Sequence, residues 1–191
     1  MPRPGVLLML DEVQTGLGRC GSWFAFQRLG ISPDVVTMAK ALGNGVPIGA
    51  CWARSEVADV FEPGDHGTTF GGQPLAAAAA RTVLDVMQRE DVCARAETAG
   101  SRFRSSLTLR RGVAEVRGLG LLLAIELEGV DAAEAAARLL DRGVVVNAVS
   151  PTALRIAPSL LITDDEVEEG AEAIGGVVEA LAAAGSSDAR A

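Results

Sequence analysis

Apolar segments separated by glycine-punctuated turns along the first half of the chain predict the strands and helices of an α/β sheet. A predicted strand at 34–39, which includes Thr37, leads to Lys40, and residues 6–10 form a continuous apolar run that ends at Asp11. Such runs are typical of parallel strands that are covered on both faces. The predicted elements are strands at 6–10, 34–39 and 50–53, with a short amphipathic helix at 23–29.

The second half predicts a long helix followed by a smaller group of strands and helices. A helical stretch runs from residue 73 to about 106, and Thr163 and Glu166 have the spacing of a capping box. The last residues, 185–191, are small and polar and predict a disordered tail. The remaining elements are strands at 113–117, 121–127, 144–147 and 154–157 and helices at 131–141 and 164–183.

Charge and cysteine content restrict the classes of function. The formal net charge of −8 argues against a nucleic-acid partner. No apolar stretch has the length of a membrane span, so none is expected. Three cysteines stand far apart without metal-ligand spacing, which predicts reduced thiols, a cytoplasmic location and no metal site.

Asp11 and Lys40 are the first candidates for chemistry. Both follow predicted strands, and ligands bind at the carboxyl ends of strands in open α/β sheets. Taken alone, Asp11 could cap a helix or form an ion pair, and Lys40 could be an ordinary lysine. Together, an amine can attack a carbonyl, and a carboxylate can keep a pyridinium nitrogen protonated. The pair therefore favours pyridoxal phosphate (PLP) as the cofactor.

Four ordered motifs make a family resemblance specific. Residues 10–19 (LDEVQTGLGR), 33–43 (PDVVTMAKALG), 45–50 (GVPIGA) and 66–72 (HGTTFGG) resemble the signature segments of class III (subgroup II) aminotransferases. The resemblance continues through 117–121 (RGLGL) and 154–158 (LRIAP) and covers nearly the whole chain. It implies the fold-type I, PLP-dependent transferase fold, an α/β architecture.

The resemblance implies a role for each matching residue. Lys40 would bind the cofactor covalently and move protons, Asp11 would pair with the pyridine nitrogen, Val13 would pack on the ring, and Gln14 would contact the ring hydroxyl. Thr69 would reach the cofactor phosphate of the neighbouring subunit in a homodimer. Arg155 would bind a substrate carboxylate, which suits the bidentate guanidinium, although a surface role on a strand stays open.

The resemblance also implies a domain layout. Residues 1–72 would belong to the PLP-binding large domain, 73–106 to a connecting helix, and 107–184 to a small C-terminal domain.

Within the class, segments such as 144–147 (VVVN) resemble the acetylornithine aminotransferases. This implies amino transfer from N-acetylornithine to 2-oxoglutarate in arginine biosynthesis. Enzymes that use ornithine, succinylornithine or 4-aminobutyrate share much of the pattern, and a racemase or aminomutase of the family is a further alternative.

The length departs from the family. Members are roughly twice as long, so the resemblance implies an N-terminally truncated chain that lacks the main phosphate loop. Gln73 also stands where an asparagine is usual. Either a separate N-terminal piece completes an active enzyme, or the chain is an inactive fragment that at most pairs with full-length subunits. A sheet without its other strands would expose apolar edges, and we expect such a chain to aggregate and to bind PLP weakly or not at all.

Overall fold

The computed structural model describes residues 5–188, and the chain divides into two compact units, 1–93 and 94–191. Among the described residues, the first unit contains a three-stranded sheet and three complete α-helices. Its elements are β1 (Met9–Asp11), α1 (Ala25–Arg28), β2 (Val35–Met38), β3 (Ala50–Ala53), α2 (Ser55–Ala58) and α3 (Pro74–Arg89). The fourth helix, α4 (Val92–Leu107), begins in this unit and continues into the second.

The sheet of the first unit has the strand order β1-β2-β3. β1 runs parallel to β2, whereas β3 is antiparallel to β2. β1 is an edge strand and is shorter than the predicted run 6–10. Val6, Leu7 and Met9 are 62%, 57% and 64% exposed, so the covered strand that the apolar run predicted is absent from this edge.

The long helix predicted from residue 73 to about 106 is two helices. The break between α3 and α4 falls at Asp91, whose φ is 46°. A residue in the left-handed region cannot continue the hydrogen-bond ladder of a right-handed helix, so α3 ends there. The boundary between the two compact units lies just beyond this break.

The second unit is an antiparallel sheet with the order β4-β5-β7-β6 and helices on its apolar face. Burial alternates along β5, where Leu123, Ile125 and Leu127 are buried. Its hydrophobic core lies between residues 96 and 182, entirely inside this unit. The elements are β4 (Val113–Leu119), β5 (Leu122–Leu127), α5 (Ala132–Asp141), β6 (Asn147–Ser150), β7 (Ala153–Ile156) and α6 (Asp164–Asp188).

The capping box predicted for α6 is present. The Thr163 N–H donates to Oε2 of Glu166 at 2.8 Å, and the Glu166 N–H donates to the Thr163 hydroxyl oxygen at 3.3 Å. The helix continues to Asp188, beyond the predicted end at 183 and into the segment expected to be disordered. The rest of that predicted tail, 189–191, lies outside the described residues. Within residues 5–188, no helix combines the length and apolarity needed to cross a membrane.

Candidate active site

Asp11 lies at the carboxyl end of β1 and is fixed by two donors. In the parallel register Asp11 pairs with Thr37 of β2. The Val13 N–H donates to Oδ1 of Asp11 at 2.9 Å, and the Thr37 hydroxyl lies 3.5 Å from the same oxygen. The carboxylate is nevertheless exposed. An exposed, oriented anion at a strand end is available to a ligand.

Lys40 lies close to the same edge, because it follows the last residues of β2. It begins a short 3-10 turn, Lys40–Leu42, and its side chain is exposed. Its φ is 41°, in the left-handed region that costs a non-glycine residue about 1–2 kcal/mol. Such backbone strain is concentrated at functional sites, where the surrounding structure maintains it.

The turn that follows Lys40 depends on a glycine. A Cβ placed on Gly43 would lie 2.0 Å from the carbonyl oxygen of Val46, a distance that no side chain tolerates. Gly43 therefore allows the chain to close tightly on itself immediately after Lys40. The Gly43 N–H donates to the Lys40 carbonyl oxygen at 3.3 Å, which ties the turn to the lysine backbone.

Val13 and Gln14 are half-buried in the turn after β1, and this turn is anchored by Glu12. Glu12 is only 3% exposed, and its carboxylate accepts hydrogen bonds from the Ala25 and Phe26 N–H groups at 3.1 and 2.9 Å. These are N–H groups at the start of α1, which favours an anion. Burial raises the pKa of the nearby Cys20 thiol, and the charge of Glu12 raises it further.

Sequence reasoning missed Glu12 and Thr37 as parts of this site. The signal for Glu12 was present, because it directly follows Asp11 and precedes a glycine-rich turn and a short helix. Thr37 could not be recognised from the sequence alone, because its role depends on the register between β1 and β2.

Thr69 lies in an exposed bend of the first unit. The neighbouring Thr68 hydroxyl oxygen accepts the Gly71 N–H at 3.0 Å. This backbone donor, which the sequence suggested for an anion, is therefore already in use. The Thr69 side chain remains exposed.

Arg155 lies in the second unit, on β7, between Ala124 of β5 and Asn147 of β6. Its Nη2 donates to Oδ1 of Asn147 at 3.1 Å. Its Nε is buried and has no hydrogen-bond partner among residues 5–188. Asn147 was not singled out as a site residue from the sequence, since its contact with Arg155 depends on the pairing of β6 with β7.

Comparison with known families decides what kind of protein carries this cluster. The model of the class-III aminotransferase family matches residues 2–178. The chain belongs to the class-III aminotransferases. The family and the α/β fold class expected from the motifs are thus confirmed.

Relatives of this aminotransferase chain include acetylornithine aminotransferases. The enzyme of Corynebacterium efficiens is 48% identical over 177 residues, a match that covers 93% of this chain and 44% of the relative. The enzyme of Archaeoglobus fulgidus is 44% identical over 168 residues, covering 88% of this chain and 44% of the relative. The chain therefore spans less than half the length of the curated relatives it matches.

Solved aminotransferases share its structure. The ornithine aminotransferase of Toxoplasma gondii superposes with a TM-score of 0.88 at 36% identity, covering 95% of this chain and 45% of that one. The acetylornithine aminotransferase of Elizabethkingia anophelis gives a TM-score of 0.83 at 36% identity, with coverages of 91% and 48%.

Proposed function

We propose that this chain supplies the lysine-bearing part of the active site of a PLP-dependent aminotransferase. The observation that supports this most is the parallel register of β1 and β2. It brings the Asp11 carboxylate and the Lys40 backbone to neighbouring strand ends at one edge of the sheet. Lys40 is moreover the only lysine in the 191-residue sequence.

The residues of the first unit fit the chemical demands of PLP in part. The cofactor needs an anion at its ring nitrogen, an amine at its carbonyl carbon and hydrogen-bond donors at its phosphate. Asp11 and Lys40, both exposed at one strand edge, meet the first two demands. For the third, the Thr69 hydroxyl would serve the cofactor of a neighbouring subunit, while the Gly71 N–H is engaged by Thr68.

Each residue would then have a defined task. When bound, PLP withdraws electrons from the substrate Cα through its protonated ring. Asp11 would hold the ring nitrogen protonated, Val13 would pack against the ring, and Gln14 would donate to the ring hydroxyl. Lys40 would hold the cofactor covalently and, once released by substrate, accept the proton of the substrate Cα as a general base.

We extend the proposal to the substrates by analogy with the relatives named acetylornithine aminotransferase. The reaction would transfer the amino group of N-acetylornithine to 2-oxoglutarate in arginine biosynthesis, in the cytoplasm. Arg155 would bind a substrate carboxylate, and its unpartnered Nε supports this role because a buried donor requires an acceptor. Thr69 would act across the interface of a homodimer.

One alternative is an inactive fragment that pairs with other subunits. The exposure of Val60, Phe61, Phe70 and Leu75 at 61–77% favours a first unit that is covered by further polypeptide. A second alternative is an ornithine- or 4-aminobutyrate-type activity, which the superposition on the T. gondii ornithine aminotransferase supports for ornithine.

The sole lysine makes the first experiment unambiguous. The purified chain would be incubated with PLP, reduced with borohydride and mapped by mass spectrometry. A stable adduct on Lys40, absent from the charge-preserving Lys40→Arg variant, supports cofactor binding at the proposed position. Labelling confined to the α-amino group would contradict it.

Turnover assays distinguish an active enzyme from an inactive fragment and identify the preferred amino donor. N-acetylornithine, ornithine and 4-aminobutyrate would each be offered with 2-oxoglutarate to the chain alone. The assay would be repeated after addition of the separately expressed N-terminal half of the C. efficiens relative. Turnover only in the mixture supports a divided active site, and the preferred donor identifies the substrate. A Lys40 adduct without turnover in either case favours the inactive fragment.

A further inference from the structure

Four residues form one row across the sheet of the second unit. Arg117 of β4 pairs with Ala124 of β5, Ala124 with Arg155 of β7, and Arg155 with Asn147 of β6. Residues that pair directly in a sheet point to the same face. The residues next to them along the strands, which point to the other face, belong to the core: Val116, Leu123, Ile125, Leu154 and Ile156.

Arg155 is held on one side of this row and lacks an acceptor on the other. Its Nη2 donates to Oδ1 of Asn147 at 3.1 Å. Its neighbour on the opposite side is Ala124, whose methyl group accepts no hydrogen bond. The buried Nε is consequently unpaired among the described residues. An unpaired buried donor is destabilising, and an acceptor supplied by a ligand would relieve that cost.

Two acidic residues, Glu115 of β4 and Glu126 of β5, pair on the same face, and Glu126 is already engaged. Glu126 accepts a hydrogen bond from Nε of Arg117 at 3.0 Å and forms an ion pair with it. Within residues 5–188, Arg155 forms no ion pair with a carboxylate. Its side-chain partner is the neutral amide oxygen of Asn147, which fixes the orientation of the guanidinium without cancelling its charge.

We propose that Asn147 is a positioning residue that prepares Arg155 for a substrate carboxylate. The amide oxygen holds one guanidinium nitrogen, while the full positive charge of the guanidinium is left for the ligand. The inference rests on the proposed function, which assigns a carboxylate substrate to Arg155, and it adds a residue that selects for an anionic ligand.

Whether residue 147 is Asn or Asp should determine how well Arg155 binds an anionic ligand. Aspartate has nearly the same shape, but its carboxylate would form an ion pair with Arg155 and compete with the ligand. Alanine would remove the acceptor and release the guanidinium. Glutamine would keep a neutral acceptor at a slightly longer reach.

The test measures binding without cofactor or amino donor. Glutarate, an unreactive dicarboxylate, would be titrated into the full chain while the arginine Nε–H signals are followed by NMR. An Arg155→Lys variant would assign the Arg155 signal. We expect that signal to move on binding, and Asn147→Asp to weaken glutarate binding by roughly tenfold, the equivalent of one charged hydrogen bond. Asn147→Gln should stay within about threefold of the wild type, since it retains a neutral acceptor.

The matched control is Val145→Asp, which adds the same charge at a 78% exposed position two residues away. It should leave glutarate affinity nearly unchanged. Equal glutarate affinities of the wild type and Asn147→Asp would overturn the proposal. So would an Arg155 signal of the wild type that does not shift when glutarate is added. If Asn147 discriminates as expected but PLP forms no adduct on Lys40 and the mixture with the N-terminal half shows no turnover, this inference is upheld and the proposed function alone is rejected.

Discussion

Asp11 and Thr37 occupy the same register position on two parallel strands, and the Thr37 hydroxyl lies 3.5 Å from Oδ1 of Asp11. The Val13 N–H donates to the same oxygen at 2.9 Å. One carboxylate oxygen is thereby held by the fold while the group as a whole stays exposed. This arrangement fixes the orientation of a negative charge at the strand ends.

We expect Asp11→Asn to reduce the affinity of the chain for PLP by about 10- to 100-fold, because one charged hydrogen bond contributes roughly 1.5–3 kcal/mol. Thr37→Val should reduce the affinity for PLP by a smaller factor, since the Val13 N–H still orients the Asp11 carboxylate. Equilibrium dialysis with absorbance detection measures both. Asp59→Asn, at the exposed end of α2, serves as the control. Wild-type affinity in Asp11→Asn would argue against the assigned role of Asp11.

Glu12 should be important for stability rather than for chemistry. Glu12→Ala removes a buried carboxylate that accepts hydrogen bonds from Ala25 and Phe26. We expect the free energy of unfolding to fall by roughly 2–4 kcal/mol. Urea unfolding followed by circular dichroism measures the loss. Glu62→Ala, at an exposed position, should change it little, and an equal loss in both variants would disprove the anchoring role.

The turn after Lys40 can be tested through two glycines. In Gly43→Ala the new Cβ would approach the Val46 carbonyl oxygen to 2.0 Å, and we expect a destabilisation of about 1–3 kcal/mol. In Gly49→Ala the nearest atom lies at 3.6 Å, an ordinary contact, so this variant is the control. Thermal unfolding of the two variants should separate them. Similar melting temperatures would show that the turn relaxes without cost.

The capping interaction of Glu166 at the start of α6 should make the stability of the protein depend on pH. Hydrogen bonds from the backbone N–H and the hydroxyl of Thr163 hold the pKa of Glu166 below its ordinary value. Because the pKa of Glu166 is lower in the folded than in the unfolded state, its contribution to the free energy of unfolding is complete above the unfolded-state pKa. This contribution is lost as the pH falls through the folded-state pKa. Glu166→Ala should therefore be less stable than the wild type at about pH 7, and the difference should shrink below about pH 4. A constant difference across this range would contradict the assignment.

Features set by local pattern could be predicted from the sequence. The capping box of α6 and the alternation of β5 follow from residue spacing alone, and both are present. The strand ends that carry Asp11 and Lys40 follow from predicted strands that stop at a charge. The motif order also identified the family.

Features set by tertiary packing could not be predicted. The run at 6–10 reads as a covered strand, yet Val6 and Leu7 are exposed beside an edge strand. The helical pattern through residue 91 did not indicate a break, because aspartate is common on helix surfaces. Only the structure shows that Asp91 has a positive φ. The contact of Asn147 with Arg155 required the register of β6 with β7.

The left-handed backbone of Lys40 yields a prediction about stability. Glycine adopts a φ of 41° without steric cost, so Lys40→Gly should be more stable than Lys40→Ala by about 1 kcal/mol. Both variants remove the amine, so the comparison isolates the backbone. Urea unfolding of the pair measures the difference. Equal stabilities would show that the turn carries no strain at this position.

That strain has an evolutionary consequence. The fold by itself favours glycine or asparagine at position 40, because both tolerate the left-handed conformation better than lysine does. A lineage that no longer needed the amine would gain stability from either exchange. A lysine in this conformation, in a chain with no other lysine, is what continued selection for the amine would preserve.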